Sequence, residues 1–386
     1  MNLKKLILPI IVISQFCCTS LWFAGNAIIK DLMLSYGLDQ NAIGHLTSAV
    51  QFGFISGTFI FALLSIADRF SASRVFFTCA IMGSVFNLGL VWDLNSFTSL
   101  IGFRFLTGFF LAGIYPVGMK IASDHFDKGL GKSLGFLVGA LVLGTAFPHF
   151  LKSITTNVSW KMVIYVISAL ASTGGLLMLL LVPNGPFSSK SQAFKFSAFL
   201  SVFKNKAFRS SAFGYFGHMW ELYAFWAFVP LMISTYNIMF PSTSINVSVW
   251  SFIIISVGGL SCVLSGYLSE YYGTKKVASF ALGLSGICCL VCPLIFQLNK
   301  PLIFLSFLVI WGMAVIADSP MFSTMIAKNA PSKYKGTALT IVNCIGFAIT
   351  ILSIQLLTYV LALTSTLAVY MLLALGPVVG LYKLWK

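Results

Sequence analysis

Charge is scarce in this chain. Only 9% of its 386 residues are Asp, Glu, Lys or Arg, while 58% are hydrophobic. A soluble domain carries roughly 25% charged residues. So little charge cannot cover a soluble globule with polar surface, which makes lipid the main solvent; the mean hydropathy of +0.95 agrees. Acids are scarcest of all, nine against 24 Lys and Arg, for a formal charge of +15. On a soluble protein that excess would suggest nucleic acid. Long basic runs are missing, however, and the basic residues fall almost entirely at the ends of apolar runs or between them. Membrane topology explains them, and nucleic acid is not expected as a partner.

Cysteines are missing from the polar connections. All eight (Cys17, Cys18, Cys79, Cys262, Cys288, Cys289, Cys292 and Cys344) sit inside apolar stretches. A disulfide framework would place them in exposed loops. Cys289-x-x-Cys292 has the spacing of a redox or metal pair, but no His lies near it, and small apolar packing residues are expected there. The chain also lacks a His-x-x-x-His pair and a Walker loop. A metalloenzyme and a nucleotide-driven pump are therefore not expected, and no catalytic residue, metal or cofactor is assigned.

What is present is a succession of long apolar runs. Residues 6–28, 162–182 and 277–296 are uncharged and mostly apolar, about the 20 residues that a membrane-spanning helix needs. Barrel strands would be about 10 residues long and alternating. The first run follows Lys4 and Lys5 but is too long for a signal-peptide core of about 7–15 residues. It also continues through Trp22, Phe23 and Asn26, so it is read as a retained first span. The expected fold class is an all-α membrane protein of twelve transmembrane helices. The spans are predicted at 6–28, 43–64, 75–93, 97–119, 133–151, 160–182, 210–234, 247–268, 277–296, 301–323, 337–359 and 364–384. The longest connection, 183–209, is rich in Ser, Phe and Lys. It divides the chain into an N-terminal half (1–182), a central cytoplasmic loop and a C-terminal half (210–386).

The distribution of basic residues fixes an orientation on this map. With both termini cytoplasmic, nineteen of the 24 Lys and Arg fall on the inner side. Lys30, Lys152, Lys161 and Lys300 fall on the outer side, and Arg104 lies within a span. Cytoplasmic loops carry the Lys/Arg excess in membrane proteins. The halves also repeat. Asp68-Arg69 and Glu270-Tyr271 follow the second and eighth spans 202 residues apart, and Pro116 and Pro320 lie 204 apart in the fourth and tenth. Duplicated halves are a transporter architecture.

Three spans carry polar residues. The fourth reads Arg104-Phe-Leu-Thr-Gly108, with Arg104 about 8 residues, roughly 12 Å at 1.5 Å per residue, from the outer end. An intramembrane charge is a functional candidate by default; the bland alternative is a side chain that bonds backbone carbonyls and braces the bundle. The seventh holds Gly217-His218-Met-Trp220-Glu221-Leu-Tyr223-Ala-Phe-Trp226. Glu221 falls near mid-depth, as the one acid expected there, with His218 three residues earlier on the same helix face. A carboxylate and an imidazole in apolar surroundings have protonation states open to tuning. Glu221 is expected to pair with His218 or with Arg104. Trp220, Tyr223 and Trp226 suit either stacking on a substrate or packing. In the tenth span Asp318-Ser319-Pro320 is expected to interrupt the helix toward the cytoplasmic end, and Asp318 joins the proton-handling candidates.

Gly266-Tyr-Leu268-Ser-Glu270-Tyr-Tyr-Gly273-Thr-Lys275-Lys276, closing the eighth span, resembles the signature loop of the major facilitator superfamily (Gly-x-Leu-x-Asp/Glu-x-x-Gly-x-Lys/Arg). Gly266 is expected to let two helices approach, Gly273 to permit a tight turn, and Glu270 to accept from a neighbouring helix N-terminus. The first-half copy keeps Asp68 and Arg69 but lacks both glycines. The Arg104-x-x-x-Gly108 stretch is similar to the family's fourth-span pattern, in which a buried Arg is associated with proton coupling. The fifth span, with Gly135, Gly139, Gly144 and Pro148, lacks the adjacent Gly-Pro of the family's drug/proton antiporters. The resemblance implies a multi-pass protein of the bacterial inner membrane, a monomer, that moves a small organic solute with protons as the other cargo. Proton coupling is expected at Glu221, His218, Arg104 and Asp318, and the resemblance implies gating at Asp68, Arg69, Gly266, Glu270, Gly273 and Lys275. Substrate binding is expected at Arg104, Trp220, Tyr223, Trp226, Gln15, Asn26 and Asn343. An uncoupled facilitative carrier and a drug/proton antiporter of the same fold stay open.

Overall fold

The computed structural model describes residues 3–126, 130–155, 158–187, 202–330, 335–364 and 366–386. All its regular structure is helical. Lys128, Lys190, Lys195 and Lys333, which enter the Lys and Arg count, lie outside the described residues, as does most of the central connection. Eleven helices among the described residues are long and apolar enough to cross a membrane, and Leu6–Thr19 is a shorter apolar helix. The chain forms two compact units, Met1–Lys195 and Phe196–Lys386.

The first unit contains α1 (Leu3–Thr19), the short α2 (Ala24–Ala27), α3 (Ile29–Tyr36), α4 (Ala42–Leu63), α5 (Ile66–Arg69) and α6 (Ala72–Leu88). It continues with α7 (Phe97–Leu111), α8 (Tyr115–His125), α9 (Leu130–Ile154) and α10 (Lys161–Leu181). The predicted first span is not one helix. It breaks after Thr19, turns through residues 20–23 and resumes as α2 and α3. Main-chain groups freed by such a break need partners in lipid, and Arg104 supplies them, as described below. The fourth span also breaks, between Leu111 and Tyr115, just before Pro116. Proline has no N–H to give the preceding turn and disfavours helical geometry in the residue before it.

The second unit contains α11 (Lys206–Met239), α12 (Val247–Tyr272), α13 (Thr274–Phe296), α14 (Pro301–Ala317), α15 (Ser319–Asn329), α16 (Lys335–Thr364), a 3₁₀ turn at Leu367–Ala374 and α17 (Leu375–Trp385). The break between α14 and α15 falls at Asp318, ahead of Pro320, as the Ser-Pro pair predicts. α11 begins four residues earlier and ends five later than predicted, so Glu221 stands near the middle of a 34-residue helix.

The internal repeat extends to helix packing. A Cβ added at Gly108 in α7 would lie 2.0 Å from the carbonyl oxygen of Val50 in α4. A Cβ added at Gly312 in α14 would lie 2.2 Å from that of Ile254 in α12. Both members of each pair sit 204 residues apart, the spacing of Pro116 and Pro320. In each half, this glycine is among those that let two helices touch backbone to backbone. Close helix approach at small residues is a main source of cohesion in lipid, where burial of apolar surface drives little.

Candidate functional site

Each half buries one polar cluster. In the first unit it is built on Arg104, which is 1% exposed. Its Nη1 donates to the carbonyl of Leu21 at 3.2 Å and faces Asn87 Oδ1 at 3.5 Å; its Nη2 donates to the carbonyl of Trp22. Both carbonyls belong to the break in the first span. Asn87 in turn donates to Ser168 Oγ at 3.0 Å, tying α6 to α10. Arg104 thus caps a broken helix through its main-chain contacts. Nearby, Asn26 Nδ2 donates to Thr47 Oγ1 at 2.7 Å.

Gln15 is fully buried, and neither of its amide atoms has a hydrogen-bond partner among the described residues. Its Oε1 comes within 2.2 Å of where a Cβ on Gly118 would stand. Gln51 is buried in the same unsatisfied way, and His149 Nε2 also lacks a described partner. Gln51 and His149 were missed in the sequence. The available signal was a polar side chain inside an apolar run, which does not say which helix face it occupies.

In the second unit the cluster forms where α11, α13 and α14 meet. Glu221 is 0% exposed. Trp311 Nε1 donates to its Oε1 at 2.6 Å and Cys289 Sγ at 3.3 Å, while Ser285 Oγ donates to Oε2 at 2.8 Å. The expected pairings of Glu221 are corrected here. His218 lies instead with Asp318, Nδ1 to Oδ1 at 2.7 Å, each side chain 1% exposed. Apart from this contact, neither His218 nor Asp318 has a side-chain hydrogen-bond partner among the described residues.

Helical spacing explains the pairing. Trp311 and Asp318 are seven apart, two turns on one face of α14 and its end; His218 and Glu221 are three apart on α11. Ser285 and Cys289, four apart, line one face of α13. His218 and Glu221 therefore each meet a different residue of α14. Asp318 is thereby joined to α11 one turn from Glu221, through His218. Cys289, read as a packing residue, is a hydrogen-bond donor to the carboxylate.

The aromatic candidates have partners within the half. Trp220 Nε1 donates to the carbonyl of Leu372 at 3.0 Å. Tyr223 packs edge-on against Trp226 with ring centres 5.4 Å apart and tilts on Phe347 at 5.2 Å. Asn343 Oδ1 accepts from the hydroxyl of Tyr215 at 3.2 Å.

The signature loop differs from expectation in two places. A Cβ built at Gly266 meets nothing within 4 Å, so no close helix approach requires glycine there. Glu270 is exposed, and no hydrogen bond to its side chain is among the described contacts. Gly273 does make the turn, with φ +86°. Lys275 Nζ lies 4.2 Å from the centre of the Trp385 ring. In the first-half copy Arg69 is exposed, and the side chain of Asp68 lies outside the described residues.

The sequence model of one family, described as Major Facilitator Superfamily, matches residues 11–354. An uncharacterized transporter of Buchnera aphidicola subsp. Baizongia pistaciae (strain Bp) is 32% identical over 94 residues, covering 24% of this chain and 23% of that protein. The crystal structure of a point mutant of the nucleoside transporter NupG superimposes with a TM-score of 0.75 at 18% identity, covering 100% of this chain and 99% of that one. The likeness to NupG shows the fold alone. Both proteins are named as transporters, neither as an enzyme.

Proposed function

Because this chain belongs to the Major Facilitator Superfamily, we propose that it is a proton-coupled secondary transporter of a small organic solute, with Glu221 as the proton carrier. One observation carries the reading. A fully buried carboxylate in the middle of α11 is held by three neutral donors and by no cation among its described contacts. Burial opposes the charged form of a carboxylate and hydrogen-bond donors support it. A group under both influences suits the loading and release of a proton in each cycle. The buried His218–Asp318 contact is proposed as a second proton-handling element. Gain or loss of charge at Glu221 changes what α13 and α14 hold, and that bias would favour one state of a pair of six-helix halves rocking about the substrate.

On the substrate side, the unsatisfied amides of Gln15 and Gln51 support a polar contribution from the N-terminal half. Buried polar groups without partners are costly, and a hydroxylated or amide-bearing solute would satisfy them. Trp220, Tyr223, Trp226, Asn26 and Asn343 are proposed as further substrate contacts, and the two signature loops as gate elements. We place the protein in the bacterial inner membrane as a monomer with both termini cytoplasmic, following the charge distribution.

The test uses purified protein in proteoliposomes. A thermal-shift screen, with nucleosides first because NupG is a nucleoside transporter, supplies a ligand that raises the apparent stability. Uptake of that ligand is then measured with and without an imposed pH gradient. Glu221→Gln is expected to keep ligand binding and exchange but to lose gradient-driven accumulation. Accumulation by Glu221→Gln equal to wild type would make Glu221 structural. No gradient dependence in wild type would favour the uncoupled carrier.

A further inference from the structure

We propose that the first unit carries an anion site for a phosphate group, in a cavity of about 460 Å³ bounded by the α5–α6 turn, the end of α8 and the segment leaving α10. The cavity is lined by Arg69, Lys120 and His125, with Asp124 as the one acid among the described lining side chains; the side chain of Asp68, next to Arg69, lies outside them. Asp124 is 8% exposed, and Lys120 Nζ holds its carboxylate at 3.2 and 3.4 Å. Among the described lining side chains, Arg69 is the cation outside that pair. Arg69 is exposed and has no ion pair among the described contacts. Its planar fork of donors fits two phosphate oxygens at once.

His125 also lines the cavity. Its Nδ1 lies 2.9 Å from the carbonyl of Ile121, so Nδ1 carries the proton and donates. That leaves Nε2, which is buried and has no partner among the described residues. Nε2 can accept from a P–OH or, protonated, donate to a P–O⁻.

The walls are held in place by contacts that do not use these groups. Ser73 Oγ donates to the carbonyl of Val182 at 2.8 Å, and the amide of Phe187 donates to that of Asp124 at 2.9 Å. A Cβ at Gly185 would stand 2.1 Å from the same Asp124 oxygen, so only glycine fits that close pass. Ser71, at the N-cap of α6, turns its hydroxyl to Asn184 Oδ1 at 3.0 Å and leaves the helix without a side-chain cap. The first amides of α6 therefore add a favourable end to a cavity already lined by cations. On the proposed orientation this end of the half faces the cytoplasm, where both anionic lipid headgroups and free phosphate are within reach.

The experiment follows the apparent Tm of detergent-purified, delipidated full-length protein. One arm titrates inorganic phosphate against chloride at matched ionic strength; the other titrates short-chain phosphatidylglycerol against phosphatidylcholine. Saturable stabilisation by phosphate, or by phosphatidylglycerol and not phosphatidylcholine, is expected. Arg69→Gln should weaken it by about tenfold or more, as loss of a bidentate charged contact does. Arg74→Gln, an exposed neighbour that does not line the cavity, should leave it unchanged. Stabilisation by phosphatidylglycerol alone assigns the site to a lipid headgroup, and by both probes to phosphate in general. The proposal is overturned if neither probe gives saturable stabilisation, if Arg69→Gln binds as wild type does, or if Arg74→Gln loses as much as Arg69→Gln. Monodispersity and unliganded Tm of each variant exclude a folding defect, which an exposed Arg→Gln change is not expected to cause.

Discussion

Replacing Arg104 by Gln separates a bracing role from a coupling role. The guanidinium reaches two main-chain carbonyls, Leu21 and Trp22, at the break in the first span, and it faces Asn87. Gln is shorter and carries one amide, so it cannot hold both carbonyls. Each buried acceptor left without its donor costs about 1–3 kcal/mol, which puts the loss at roughly 1–6 kcal/mol for one or both carbonyls. For a unit of nearly 200 residues, about 2–4 °C of Tm accompanies each kcal/mol, so the apparent Tm should fall by at least about 2 °C. Arg104→Lys keeps the charge but not the fork and should fall between Gln and wild type. Asn87→Ala should lower Tm less than Arg104→Gln, because the carbonyl bonds survive. The assay is a thermal ramp on detergent-purified protein, paired with uptake into proteoliposomes. A Tm for Arg104→Gln within about 1 °C of wild type, with transport abolished, would refute the capping argument and return Arg104 to the coupling machinery.

Three further outcomes follow from the packing. Gly108→Leu and Gly312→Leu should each separate a backbone-to-backbone helix pair and destabilise the protein to a similar degree, by about 1–3 kcal/mol or more; unequal losses would argue that the two contacts are not equivalent, and a thermal ramp reads this. Gly266→Ala should be neutral or stabilising by up to about 1 kcal/mol through helix propensity, whereas Gly273→Ala, at φ +86°, should cost about 1–2 kcal/mol; a severe loss of transport at Gly266 with full stability would instead mark a transport state that requires glycine there. Reporter fusions after residues 195 and 386 should both report cytoplasm, and an outside signal at either overturns the proposed orientation.

Much of this protein was determined by the sequence alone. Scarcity of charge requires lipid as the solvent, and runs of about 20 apolar residues require helices, because unpaired main-chain groups are not tolerated there. The repeated Pro116 and Pro320 mark breaks in the fourth and tenth spans, since proline acts through the local backbone. The positive φ at Gly273 belongs to the same class. What the sequence could not specify was which polar groups meet. His218 and Glu221 share a helix face, and spacing along one helix suggested that they pair. Only the packing of α13 and α14 against α11 gave Glu221 to Trp311, Ser285 and Cys289, and His218 to Asp318. Likewise, the hydroxyls of Thr19 and Ser20 bond carbonyls of the last turn of α1 locally, but the carbonyls of Leu21 and Trp22 are satisfied by Arg104, more than 80 residues away. Helix formation depends on residues three and four apart, whereas a buried hydrogen bond depends on where two distant helices cross, and that is decided only by tertiary packing.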